Sequence, residues 1–259
     1  MKTVILCGGR GTRIRDVAAD LPKPMITIGN LPILWHIMKG YAHWGHSDFI
    51  LCLGYQSTAI KDFFLNYRVR VSDVAITLGR HADIKCLTNH DEEDWRVTLV
   101  ETGLNSMTGA RVWRIRKYLD SEENFMLTYG DGVGNVNIQA LIEFHRGHGR
   151  AVTVTGVRPP GRFGELTIDS ERVVGFNEKP QVSDGHISGG FFVCERRVFD
   201  YLDDRESLVL EEEPMRRLVA DGELMVFRHD GFWHPMDTYR DYHLLNTLWD
   251  EKRALWKVW

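Results

Sequence analysis

No apolar run among these 259 residues approaches the length that crosses a bilayer, so a membrane-spanning helix is not expected. The first residues lack the charged-then-apolar-then-small pattern of a cleaved leader, and the sequence reads as that of a cytoplasmic protein. Cysteine is scarce: Cys7, Cys52, Cys86 and Cys194 form no close pair and no CxxC, which argues against a disulfide frame or a zinc site. Cys7, Cys52 and Cys194 lie in apolar, strand-like runs, where a thiol behaves as a small hydrophobe. A net charge of −4 advertises no surface for nucleic acid. Repeats and low-complexity segments are missing. So are both common phosphate fingerprints, since no Gly-Lys-Ser/Thr closes a glycine loop and no GxGxxG occurs. Nothing pairs a nucleophile with an oriented base, and covalent catalysis is unsupported.

What is present centres on Met1 to Asn30. An apolar run, Thr3 to Cys7, reads as a buried strand and breaks into Gly8-Gly9-Arg10-Gly11-Thr12-Arg13. Glycines let backbone approach a ligand closely, consecutive N–H groups can line an anion site, and Arg13 adds a forked cation. Lys23 follows, stiffened between Pro22 and Pro24.

Helical periodicity covers Leu31 to Trp44 and Thr58 to Tyr67, and Phe49 to Leu53 forms a strand between them. Strand, helix, strand, helix favours an α/β fold with a doubly wound, mostly parallel sheet, whose ligands bind beyond the carboxyl ends of the strands. Arg68 to Arg96 is less regular, with a strand at Val74 to Leu78 and an acidic run, Asn89 to Asp94, that reads as a solvated loop. Val97 to Glu101 leads to Ser106-Met107-Thr108-Gly109, a loop suited to holding a base, and then to a helix over Ala110 to Leu119 with a Ser or Thr cap. The strand Phe125 to Tyr129 delivers Asp131 between two glycines. A helix over Asn137 to His148 and a strand over Ala151 to Val157 come next.

From Pro159 the pattern changes to short strands, Leu166 to Ile168, Val173 to Phe176 and Ile187 to Val193, that suit an antiparallel or mixed layer partly covering a cleft. Helices at Val198 to Leu202 and Glu212 to Asp221, a strand at Leu224 to Phe227, a turn at Trp233 to Thr238 and a helix at Tyr239 to Trp249 complete the chain. The late tryptophans read as packing, with a subunit contact as the alternative. His36, among apolar neighbours, reads as a satisfied core residue.

The strand ends thus collect a glycine loop, Lys23, the Ser106 to Gly109 loop, Asp131, Glu178-Lys179 and Asp237. Two carboxylates, several cations and a glycine turn are the parts of a magnesium-assisted phosphoryl or nucleotidyl transfer, in which Mg²⁺ takes one or two carboxylates and completes its shell with phosphate oxygens and water. Two alternatives stay open: Glu178-Lys179 as a surface pair, and Asp237 as the cap of the last helix.

In order, GGRGTR, KPM, GDG, EKP, a Gly-Gly strand and MDT resemble the signature of sugar-1-phosphate nucleotidyltransferases. LPILWHIMK, TLVETG, SMTGAR, TYGDGV, PPGRFG, GGFFV and GFWHPMDTYRD resemble, more narrowly and over nearly the whole chain, the glucose-1-phosphate cytidylyltransferases. The resemblance implies a Rossmann-like nucleotidyltransferase fold in one domain, residues 1–259. Residues 1–157 would form its nucleotide-binding part with an insertion at 68–96, and 158–259 a small β-rich sugar-binding layer and helical end. It implies Mg²⁺-dependent reaction of CTP with α-D-glucose 1-phosphate to CDP-glucose and pyrophosphate, in a homo-oligomer of hexameric type with the insertion as a contact.

Carried over residue by residue, Leu6, Gly8, Gly9, Gly11 and Thr12 would cradle the nucleotide, with Thr108 and Arg111 near base and ribose. Arg13 would hold the leaving pyrophosphate and Lys23 the α-phosphate. Asp131 and Asp237 would bind Mg²⁺, Lys179 the sugar phosphate, and Tyr129, Gly164, Glu178, Ser188 and Gly189 the sugar. Ser188 departs from the asparagine usual in these enzymes and offers no amide. The acceptor therefore remains open to another hexose 1-phosphate or a different phosphorylated molecule, and the nucleotide to dTTP or UTP. A nucleotide-binding regulatory subunit without turnover is the reading from another class.

Overall fold

The computed structural model describes the chain except residues 12–20, 80–82, 93, 160–164, 170–171 and 178–184, and the side chains of 165–169 and 172–177. Thr3–Leu6, buried throughout, is an interior strand of a seven-stranded sheet. Its neighbours on one side are Asp48–Leu53 and then Arg96–Glu101 at the edge. On the other side lie Asn124–Tyr129, Ile187–Glu195, Val152–Val157 and the opposite edge, Leu224–His229. Every pairing is parallel except those of Ile187–Glu195, which runs antiparallel to both neighbours.

Alternate residues of the first strand face different cores. Ile5 and Cys7 join the cluster formed with Ile33–His43, Ile138–His148 and the C-terminal tail. Val4 and Leu6 join the one formed with Thr108–Arg114 and Glu213–Ala220. Both faces are therefore covered by helices, as the continuous apolar strands require. All four cysteines are free thiols, three of them buried.

Several expectations are corrected. Leu31–Pro32 is not helical but pairs with Thr27–Ile28, and the first helix starts at Ile33, because the residue before a proline is pushed to extended backbone. The second helix stops at Leu65, and a separate short helix, Tyr67–Val71, follows. Of the three strands expected in the covering layer, Ile187–Glu195 belongs to the main sheet, while Glu165–Asp169 and Arg172–Asn177 form a separate hairpin. Trp233–Pro235 is a strand rather than a turn, paired with Gly132–Gly134. The helix expected over Ala110 to Leu119 is Thr108–Arg114 followed by a 3-10 turn, and its N-cap Met107 makes no side-chain cap bond. Within the acidic run Glu92 is buried, not solvated, and pairs with Lys39. Two expectations hold: among the late aromatics Trp256 is buried and stacks on Trp249 and Phe232. His36 is a satisfied core residue, buried with its Nε2 3.0 Å from the Ile28 carbonyl oxygen.

Candidate active site

The chain leaves Thr3–Leu6 at the point where strand order reverses, since its two neighbours are reached by connections to opposite sides of the sheet. Leu6 lies in register with Tyr129, and the Gly130 N–H donates to the Leu6 carbonyl (3.1 Å). Two chain segments thus diverge there and leave a crevice, the usual ligand position in such sheets. A cavity of about 380 Å³ opens at this point. Leu6, Gly8, Gly9, Gly11 and Lys23 line one side, Ser106, Thr108 and Arg111 another, and Tyr129, Asp131 and Asp237 the third.

Asp131 and Asp237, far apart in sequence, are brought together by a ribbon. Pro235 is in register with Gly132, and the Met236 N–H donates to the Asp131 carbonyl (2.8 Å). Asp131 just before one strand and Asp237 just after the other therefore emerge side by side. Asp237 does not cap the last helix; Thr238 does, in a capping box with Asp241. Asp241 also accepts from the Asp237 N–H (3.0 Å), which fixes the backbone that carries the carboxylate.

Lys23 closes the group. Its Nζ donates to Asp131 (2.6 Å) and to Asp237. Burial alone would lower its pKa, but the charges and hydrogen bonds of the two carboxylates hold it above the ordinary lysine range, so the ammonium stays charged. Two carboxylates reached by one ammonium form a compact oxygen donor set, which fits a hard divalent ion that completes its shell with phosphate and water. Among the described residues no three acidic or thiol/imidazole groups gather as a full metal cage.

Arg111 lines the cavity, but its guanidinium is consumed by the protein. Its N–H groups donate to Leu53 O (2.8 Å), Thr102 Oγ1 (2.8 Å), Gly103 O (2.8 Å) and Gly8 O (3.0 Å). It ties the glycine turn to the ends of two further strands, and so acts as an internal brace at the cavity wall. The Thr108 hydroxyl donates to Glu211 (2.6 Å) and accepts from the Leu210 N–H (2.9 Å). Ser106 bonds to Arg114, which is why neither hydroxyl caps the helix.

Tyr129 reaches across to Glu211 as well. Its ring packs on Gly190, whose φ of +78° and missing Cβ leave the room it needs: a Cβ there would lie 2.4 Å from the ring. Ser188, expected to meet the sugar, is exposed, and its Oγ accepts from the Gly190 N–H (3.3 Å). The Gly189 carbonyl accepts from Trp233 Nε1 (2.7 Å), which binds this strand to the ribbon bearing the carboxylates. Thr12, Arg13, Gly164, Glu178 and Lys179 lie outside the described residues.

Sequence reasoning missed Asp241 and Glu211. Asp241 could have been found from the Thr-x-x-Asp spacing of a capping box. Glu211, in an acidic triplet that reads as a helix start, carries no signal of its own.

A family model described as Nucleotidyl transferase matches residues 2–249. The sequence is 47% identical over 260 residues, all of both chains, to a glucose-1-phosphate cytidylyltransferase of Salmonella typhi. It is 43% identical, again over the whole of both chains, to a probable glucose-1-phosphate cytidylyltransferase of Bacillus subtilis. Among solved structures, HddC from Yersinia pseudotuberculosis matches with a TM-score of 0.70 at 21% identity, covering 96% of this chain and 99% of that one, a likeness of fold. With a family match over nearly its full length and relatives of this identity, the chain belongs to the nucleotidyl transferase family.

Proposed function

We propose that this protein transfers a cytidylyl group from CTP to α-D-glucose 1-phosphate, forming CDP-glucose and pyrophosphate. The observation that carries the chemistry is the meeting of Lys23, Asp131 and Asp237 in the cavity that begins at the Gly8 turn. The choice of CTP and glucose is supported by the full-length identity to the two cytidylyltransferases.

We assign the backbone of Gly8, Gly9 and Gly11 to the nucleotide and its phosphates, where close approach needs no side chain. Asp131 and Asp237 would hold Mg²⁺, which when bound supplies charge neutralisation at the triphosphate. Lys23, kept charged, is assigned to the α-phosphate as an acceptor phosphate oxygen attacks in line and pyrophosphate departs. Nothing covalent is asked of the protein. Orientation and fixed charge do the catalysis. Arg13 and Thr12 on the phosphates, and Gly164, Glu178 and Lys179 on the sugar phosphate, are assigned by resemblance, as are Tyr129, Ser188 and Gly189. The division into a nucleotide part, 1–157, and an acceptor part, 158–259, follows the same assignment. We carry the homo-oligomer forward too, with the exposed Ile76, Ile84 and Leu87 of the insertion as its contact.

The serine at 188 gives a specific ground for a second acceptor, since a site lacking the amide loses one donor–acceptor pair with which to select a hydroxyl. Pyrophosphate release across CTP, UTP and dTTP with several sugar 1-phosphates, with and without Mg²⁺, tests both readings. CTP with glucose 1-phosphate and Mg²⁺ should give the highest kcat/KM; a higher value for another pair would displace this assignment. Asp131→Asn and Lys23→Ala should each lower turnover about 10²–10³-fold with an intact unfolding transition. Near-normal turnover in either variant would reject the role given to that residue.

A further inference from the structure

Glu211 belongs to no element of the expected site, yet its carboxylate joins two sides of the cavity. One oxygen accepts from Thr108, at the start of the Thr108–Arg114 helix, at 2.6 Å. The other accepts from the Tyr129 hydroxyl, at the end of the Asn124–Tyr129 strand. The segment that carries Glu211 is itself anchored. Met107 N–H donates to Glu206 O (2.8 Å) and Gly109 N–H to Leu208 O (2.9 Å), while Leu208 and Leu210 are buried. Gly109 allows this contact, because a Cβ there would lie 2.8 Å from Leu208 Cγ. Glu211 therefore projects from a fixed support rather than a loose loop.

The two partners face different ligands under the function proposed above. Thr108 stands on the wall assigned to base and ribose. Tyr129 lies against Gly190 on the Ile187–Glu195 strand, whose Ser188 and Gly189 are assigned to the acceptor.

We propose that Glu211 is a positioning residue that couples the nucleotide wall to the acceptor wall, by holding Thr108 and Tyr129 with one carboxylate. It acts through these two side chains and touches neither reacting phosphorus nor metal. The inference rests on the CTP and sugar-phosphate reading of this cavity.

The test uses the full chain with Glu211→Ala, Glu211→Gln, Tyr129→Phe and the Tyr129→Phe/Glu211→Ala double variant. CTP affinity is measured by calorimetry without acceptor, and glucose 1-phosphate KM and kcat by pyrophosphate release. Loss of one hydrogen bond on each side should raise both the CTP Kd and the acceptor KM of Glu211→Ala about fivefold. Turnover should stay within about twofold and the unfolding midpoint should not move, because Glu211 is exposed. Glu211→Gln, which keeps one accepting oxygen, should fall between. In the Tyr129→Phe background, Glu211→Ala should leave acceptor KM where Tyr129→Phe alone puts it, while CTP affinity still drops.

Wild-type constants in Glu211→Ala would overturn the proposal. So would a joint fall of kcat, affinity and unfolding midpoint, which marks simple destabilisation, or acceptor effects that add to Tyr129→Phe. A wild-type chain that binds CTP but releases no pyrophosphate with glucose 1-phosphate would instead overturn the substrate assignment, and with it the acceptor half; the calorimetric loss in Glu211→Ala would still decide the nucleotide half.

Discussion

Gly8 and Arg111 are each other's reason. A Cβ at Gly8 would lie 2.1 Å from an Arg111 nitrogen, and one at Gly54 would lie 2.5 Å from the same group. Arg111 is 4% exposed and its guanidinium is shared among carbonyl and hydroxyl oxygens from separate strand ends, so it has no room to withdraw. A glycine kept only for phosphate binding would tolerate alanine in the unliganded fold. Gly8→Ala should instead lower unfolding free energy by about 1–3 kcal/mol, the usual cost of overpacking, measured by urea titration without ligand. Unchanged stability would mean that Arg111 is not fixed as described. The sequence makes the glycine turn, Lys23 and Asp131 legible as the lining of one site, because glycine and charge at strand ends have few other uses. It does not show that Arg111 is spent on the protein, since an arginine's partners are set by burial and not by spacing.

The ribbon of Gly132–Gly134 with Trp233–Pro235 is the element on which the two carboxylates depend. Three-residue strands carry no alternation to detect, and a terminal proline reads as a turn, so this pairing was illegible although both aspartates were found. Its outer end is held by Asp241. Burial would raise the Asp241 carboxyl, but hydrogen bonds from His234 (3.0 Å) and from Thr238 hold it down, at about 2. Thr238→Ala removes the cap and its hydroxyl's bond to the Asp241 carboxylate, together worth about 1 kcal/mol. Asp241→Asn also weakens the bond from the Asp237 N–H, and an aspartate displaced from its partner Asp131 loses more than stability. Turnover of Asp241→Asn should fall about tenfold further than that of Thr238→Ala at matched loss of stability, read from initial rates at saturating substrates and from thermal unfolding. Equal turnover in the two variants would limit Asp241 to capping.

Over the whole molecule the doubly wound plan was readable, because strands buried on both faces appear as unbroken apolar runs. The antiparallel insertion of Ile187–Glu195 was not, since it is a long-range pairing that local pattern does not encode. One face of this sheet carries a vulnerability to acid. There His36 is buried under Trp249 and Trp256, near Lys257, and burial lowers it to about 4. On the same side, at the end of Ile138–His148, His145 is lowered to about 4 by burial first, then by the charges of His148, Arg197 and Arg146. His145 sits in a chain that is complete with a neutral ring: Asn124 Oδ1 accepts from Nε2 (3.2 Å), Thr153 Oγ1 donates to Nδ1 (2.8 Å), and Thr153 accepts from His148 Nε2 (2.7 Å). A histidine whose folded pKa lies below its unfolded value of about 6.5 contributes fully above that value, and the contribution is lost as pH falls from about 6.5 towards 4. Each of these shifts corresponds to at most on the order of 3 kcal/mol. Asp241, depressed to about 2, adds its loss only below the ordinary aspartate range of about 4, so the windows separate. The unfolding midpoint should therefore be flat above pH 7 and fall steadily between about pH 6.5 and 4. His145→Gln, which cannot take up the proton, should start lower at pH 7.5 but flatten the slope in that window; an unchanged slope would locate the acid sensitivity elsewhere.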